Sequence, residues 1–158
     1  MNISEQLIAD IVKKVMLSLG EHSPEGQNAA PGGAEAYEKH RDPSGVMSVR
    51  TASVKPEPFD TGKPGDKVFL TDVSTLEESP RLGAGVMEMD HSDFDWTLRY
   101  DEWDYVIEGT LEIVIEGRRI VGNAGDLIHI PKNSSITFSC PTTCRFVYFV
   151  FPADWASQ

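Results

Sequence analysis

Hydrophobic positions recur along this chain with two different periods, and the change of period divides it into three regions. From Ile3 to Leu19 the apolar residues Ile3, Leu7, Ile8, Ile11, Val12, Val15 and Leu19 follow helical spacing, with Glu5, Asp10 and Lys13 largely on the opposite side. Ser4 suits the N-cap, Lys13 and Lys14 fall late, and Gly20 stops the run, as terminal geometry and the helix dipole prefer. The pattern predicts an amphipathic helix over 1–20. Between Glu21 and about Lys63 the breakers gather, among them Pro24, Gly26, Pro31, Gly32, Gly33, Pro43, Gly45, Pro56 and Pro58, and large apolar residues are few. Residues 21–62 are therefore expected as a flexible linker. A short helix on such a tether is marginal alone in water and gains most by burying its stripe against a protein partner.

From residue 63 to 158 the period shortens to that of strands. Apolar runs separated by turns cover Val68 to Leu70, Gly83 to Met89, Trp96 to Tyr100, Tyr105 to Ile107, Leu111 to Ile115, Arg119 to Val121, Leu127 to Ile130, Ile136 to Phe138 and Phe146 to Phe151. Leu111, Ile113 and Ile115 alternate with Glu112, Val114 and Glu116, which gives that strand one apolar and one wetter face. Gly122 and Ala124-Gly125-Asp126 mark turns, and Pro131 ends a strand because it cannot donate to a ladder. The predicted fold is an all-β, two-sheet jelly roll open at one end.

Composition narrows the function more than the fold. The chain has 158 residues, 40% of them hydrophobic, enough for one core with an appendage. Its net charge of -11 opposes phosphate neutralisation, so no nucleic acid is expected as a partner. No apolar run has the length of a membrane span, and the basic face is thin for a membrane-surface helix, so no membrane partner is expected. No secretory signal opens the sequence, and Cys140 and Cys144 make no disulfide framework; an intracellular location follows as the expectation.

The residues Glu102-Trp-Asp-Tyr-Val-Ile-Glu-Gly109 and Gly125-Asp-Leu-Ile-His-Ile-Pro131 resemble the two motifs of the cupin superfamily, which implies a cupin (RmlC-like) β-barrel. Metal-binding cupins add histidines to this framework. Here the corresponding positions fall among Asp95, Trp96, Thr97 and Leu98 and at Ile136, and only Glu102 survives of four ligands. A single carboxylate does not hold a transition metal in the imidazole-rich manner, and none is expected to bind tightly. His129 is a substitute ligand only if it faces inward; a lone histidine on an apolar strand is more often a packed or surface residue.

On an extended strand Trp96, Leu98, Tyr100, Glu102 and Asp104 share one face. If Glu102 faces the interior, Tyr100 and Asp104 flank it, and two carboxyls with a phenol in one cavity raise a carboxyl pKa toward neutrality. The alternative is a set of solvated acids at the barrel mouth. Acidic residues dominate from Glu88 to Glu116, with Arg99 the one cation there; Lys132, Arg145, Arg118 and Arg119 are the cations that could reach an anionic ligand.

The same residues, with Ala124-Gly125-Asp126, Ile130-Pro131-Lys132, Ser134-Ser135-Ile136, Pro152-Ala153 and Trp155, resemble the EutQ family of ethanolamine utilization proteins, across the barrel and the N-terminal extension. The resemblance implies a bacterial cytoplasmic protein of ethanolamine catabolism, addressed to a microcompartment by a helix such as Ile3 to Leu19 docking on a shell protein. It also implies a homodimer and acetate kinase activity with ATP, acetate or acetyl phosphate, and magnesium. In that scheme Glu102 and Asp104 hold magnesium, Tyr100 joins them as a catalytic residue, Lys132 meets phosphate, and Ser134, Ser135 and Trp96 are further nucleotide contacts. Two other readings stay open: a non-catalytic binding or assembly module recruited to the shell, and a metal-free isomerase or lyase using Tyr100 and Glu102 as acid and base. The fold does not choose among them.

Overall fold

The structure is a computed structural model that describes residues 37–158; the expected helix at Ile3 to Leu19 and the first part of the linker lie outside the described residues. Nine strands are present among the described residues: β1 Lys39–Arg41, β2 Met47–Val49, β3 Glu57–Pro58, β4 Val68–Asp72, β5 Gly83–Thr97, β6 Asp101–Ile115, β7 Arg118–Asn123, β8 Leu127–Ile130 and β9 Ser135–Phe151. β1 and β2 form a hairpin, and the rest make one antiparallel sheet in the order β3-β4-β5-β9-β6-β7 with β8 on β6. The all-β expectation holds.

The strands are longer than the apolar runs suggest. β9 joins Ile136 to Phe138 and Phe146 to Phe151 into a single 17-residue element, and β6 joins Tyr105 to Ile107 and Leu111 to Ile115. Both cross from one wall of the barrel to the other through register shifts, at Val106/Glu108 and at Gly109/Glu112. A bulge re-aims a strand and sharpens its twist, so a long strand can turn a corner without ending. Gly109 occupies this corner with φ +73°, and a Cβ there would lie 1.9 Å from the Thr143 carbonyl oxygen. Only glycine fits that approach.

Alternation sets the core. On β9 the residues Cys144, Phe146, Tyr148 and Val150 point inward; on β6 Glu102, Asp104, Val106, Leu111 and Ile113 do so. These meet Val68, Met87, Met89, Phe94, Ile128, Ile130 and Phe138 in one apolar cluster between the walls. Cys140 and Cys144 are free thiols buried in it.

Residues 37–62 depart from the linker expectation. They form the β1-β2 hairpin, a 3-10 turn at Thr51–Ser53, and β3, which pairs with β4. Val54 joins Val73 and Val86 in a second apolar cluster, with Tyr37, Val49, Ala84 and Val147 packed against it. Arg145 ties the turn down, donating from Nη2 to the Thr51 and Val54 carbonyl oxygens at 2.7 and 2.9 Å while its other nitrogen pairs with Glu88. Proline and glycine at 43, 45, 56 and 58 punctuate short extended pieces here rather than a solvated tether. The physical reason is that β5 and β9 turn an apolar outer stripe, Ala84, Val86 and Val147, toward these residues and reward their ordering with burial.

Candidate functional site

A cavity opens among Phe59, Leu70 on β4, Met87, Phe94 and Trp96 on β5, Tyr100, Glu102 on β6, Phe138, Tyr148 and Val150 on β9, and Trp155 in the C-terminal turn Trp155–Ser157. Between these side chains about 20 Å³ accepts the centre of a water molecule. That is room for a ligand of a few non-hydrogen atoms, well below the roughly 300–1,000 Å³ of pockets that take drug-sized molecules.

The acidic floor comes from β6. Glu102 is 4% exposed and Asp104 is fully buried, one pleat deeper along the same face. The solvated-mouth alternative is thereby set aside for both. Burial holds the Glu102 carboxyl up at about 7. Asp104 is raised well above the ordinary carboxylate range, first by burial and then by the neighbouring charge of Glu102. Both Asp104 oxygens are buried and receive no donor from the described residues. A buried carboxylate without donors is costly, so burial favours the protonated form of both groups.

Tyr100 lies in the bend between β5 and β6. Its hydroxyl accepts from Trp96 Nε1 at 2.9 Å and neighbours the Glu102 carboxyl. The backbone of the 131–135 turn supports this bend: Asn133 N–H donates to the Leu98 carbonyl at 2.8 Å and Leu98 N–H to the Ser134 carbonyl at 3.0 Å. Trp96 therefore belongs to the cavity, as a wall and as a donor to Tyr100.

The remaining expected nucleotide contacts do not converge on it. Lys132 is exposed on the rim, and its backbone N–H donates to Asp101 Oδ1 at 2.9 Å. Ser134 is buried but its hydroxyl donates to the Pro131 carbonyl at 2.7 Å, and Ser135 faces outward, 3.1 Å from Thr97 Oγ1. Arg118 and Arg119 pair with Glu116 and Glu112, and Arg145 is committed to Glu88 and two carbonyls. None of the four candidate cations lines the cavity. His129 is on the outer surface, stacked on Trp103 with ring centroids 4.7 Å apart.

Magnesium does not fit as a resident ion. Its donor set would be two carboxylates, of which Asp104 does not line the cavity. Magnesium keeps several waters, and those waters would face aromatic rings with almost no acceptors. No cluster of three or more His, Cys, Asp or Glu residues suited to a metal exists among the described residues.

Of the lining residues, only Trp96, Tyr100 and Glu102 are site candidates by sequence; Tyr148 and Trp155, held by Asp72, complete the wall. Asp72 Oδ1 accepts from Tyr148 Oη at 2.6 Å and from Trp155 Nε1 at 3.3 Å, holding both rings over the cavity. The Trp155 ring meets Trp96, Tyr100 and Tyr148 at 5.9 to 6.4 Å in edge-to-face geometry. An indole seven residues after Tyr148 on an otherwise polar C-terminus was the one available signal.

The chain resembles known proteins along nearly its whole length. The family described as ethanolamine utilisation protein EutQ matches residues 3–157. A Clostridioides difficile (strain 630) protein named "Acetate kinase EutQ" is 45% identical over 160 residues, 99% of this chain and 97% of that one. The Salmonella typhimurium protein of the same name is 38% identical over 98% of this chain, which spans 64% of the relative's length. The solved structure of the Clostridium difficile EutQ protein superposes with a TM-score of 0.76 at 52% identity, covering 78% of this chain and 92% of that one. An RmlC-like cupin from Shewanella frigidimarina, at 19% identity and a TM-score of 0.51 over 61% of this chain and 86% of its own, shares the fold.

Proposed function

This chain belongs to the EutQ family of ethanolamine utilisation proteins, and from that membership we propose that it acts as an acetate kinase, moving a phosphoryl group between ATP and acetate in the microcompartment of ethanolamine catabolism. The observation that carries this reading is the 45% identity, across both chains almost entirely, to a relative named for that activity.

The geometry supports a division of the reactants by size. Acetate suits the cavity, its methyl against the Phe94 and Phe138 rings, which stack 5.2 Å apart, and its carboxylate toward Glu102. A protonated Glu102 accepts this anion without repulsion and donates a hydrogen bond to it. Above about pH 7 the ionised carboxyl repels it, so turnover falls as pH rises through that value. The nucleotide is too large for the interior. Its phosphates, with the magnesium they carry, belong outside it, where Lys132 is an exposed cation beside the bend that carries Tyr100 and Arg99 is another within that bend. Phosphoryl transfer is mostly positioning and charge neutralisation, and the aromatic walls contribute by keeping water from the acyl group.

Coupled turnover of acetate with magnesium ATP, in both directions, tests the reading on purified wild-type protein beside Glu102→Leu, which removes the donor. Activity that collapses by about a hundredfold or more in the folded variant supports it; equal activity in the two proteins, or none in either, sinks it.

The cavity lining contains no basic side chain, and this favours a second reading, a non-catalytic binding module. In both readings Ile3 to Leu19 is the docking segment for a shell protein. A homodimer forms through the outer face of β8, β6 and β9, where Trp103, Tyr105, Leu127, Phe149 and Phe151 are exposed.

A further inference from the structure

The cavity has the composition of a cation site. Indole and phenol rings, Trp96, Trp155, Tyr100 and Tyr148, enclose it, and the carboxyl of Glu102 forms its floor. Behind Glu102, Asp104 is wholly buried with two oxygens that no donor of the described residues reaches. No Lys, Arg or His among the described residues lines the space, so these residues supply no countercharge to this pair. Buried carboxylates are ordinarily paired, and leaving one unpaired is expensive.

The polar groups present are oriented for an anionic floor. The indole of Trp96 donates to the Tyr100 hydroxyl at 2.9 Å, which leaves the phenol proton free for the neighbouring Glu102 carboxyl. The free volume suits a few non-hydrogen atoms, and apart from the phenol oxygens and the floor the walls are apolar. An aqueous metal ion fails here because its waters need acceptors on every side. A primary ammonium differs in two ways: its three N–H donors all lie at one end, and the alkyl part carries no donor to satisfy. Trp and Tyr rings attract such a cation electrostatically.

We propose that the aromatic cavity floored by Glu102, with Asp104 buried behind it, binds a small primary ammonium ion of the alkylamine or amino-alcohol class, with its nitrogen at Glu102 and its carbon chain among Trp96, Trp155 and Tyr148. The site requires occupancy and no turnover, so it stands apart from the phosphoryl-transfer reading. It also makes the opposite demand on the floor, since acetate needs the carboxyl neutral and an ammonium needs it ionised.

Isothermal titration at pH 8 and constant ionic strength, with methylammonium, ethanolamine, ethylene glycol and acetate as probes, tests this on the full chain. The expected result is saturable binding of ethanolamine, with neutral ethylene glycol and acetate at least about tenfold weaker. Glu102→Gln should weaken the cation by at least about tenfold, while Glu57→Gln, which removes the same charge from an exposed position of β3, leaves it unchanged. Trp155→Leu should cost about threefold or more for the cation and nothing for the glycol, and it decides the matter if Glu102→Gln does not fold. Equal affinity for ethanolamine and ethylene glycol, tighter binding of acetate, or no saturation with either cation overturns the proposal. Kinase failure with cation binding intact removes only the phosphoryl-transfer reading; kinase activity without cation binding removes only this one.

Discussion

Glu102 connects the site to the stability of the whole chain. In the folded protein its carboxyl keeps a proton up to about pH 7, whereas the unfolded chain releases it near the ordinary 4.5. Between those values the unfolded state binds fewer protons, so stability falls as pH rises through the window and stays low above it. The loss is on the order of 3 kcal/mol. Glu102→Gln cannot ionise and removes that slope. Denaturant midpoints at pH 5 and pH 8 should therefore differ less in the variant, which should be the more stable protein at pH 8; a wild type with the same midpoint at both would show that Glu102 titrates normally. This residue was legible in the sequence because period-two alternation places Glu102 and Asp104 on one face with Tyr100. Their burial was not legible, since the same spacing also describes solvated acids at a rim.

At the scale of elements, the long bulged strands decide what the barrel can hold. Gly109 makes the corner of β6 possible, and Gly109→Ala would place a methyl group against the Thr143 carbonyl in a left-handed backbone. The variant should lose more than about 1 kcal/mol in urea denaturation, because substitution at positive φ exceeds the ordinary glycine-to-alanine gain. A variant as stable as wild type would mean that β9 yields at Thr143. The sequence reading divided β5, β6 and β9 at their polar stretches, because one-dimensional periodicity treats a bulge as a strand end. It likewise took Trp96 to Asp104 as one strand. Residues 98–100 form a bend, yet Leu98, Tyr100, Glu102 and Asp104 all remain buried, since backbone bonds to Asn133 and Ser134 hold the bend in place of a ladder.

For the molecule as a whole, the outer surface of β8, β6 and β9 carries Trp103 at 47%, Leu127 at 59% and Phe151 at 56% exposure. Register places them side by side: Trp103 is opposite His129 on β8 and Phe149 on β9, and Tyr105 is opposite Leu127. Contiguous aromatic surface of this kind marks an interaction site rather than a solvated face. Phe149→Asp with Phe151→Asp should convert the expected dimer to monomer in sedimentation velocity while leaving far-UV circular dichroism unchanged. A wild type already monomeric at tens of micromolar protein would remove the dimer from the account. Neither residue lies on the cavity, so ligand affinity should survive the change.

The sequence by itself determined the all-β class, the inward alternation of β6, the loss of the histidine ligands and the family, because each depends on the identity or spacing of neighbouring residues. Only the tertiary structure decided the rest. It joined Asp72 and Trp155, 83 residues apart in the chain, beside Tyr148 and Tyr100, kept Lys132 and Ser135 out of the cavity, and turned residues 37–62 from linker into cover for Val86. Desolvation is the common reason. A carboxyl's pKa, a ring's place in a wall and a segment's order all depend on what excludes water from them, and that is set by residues distant in sequence.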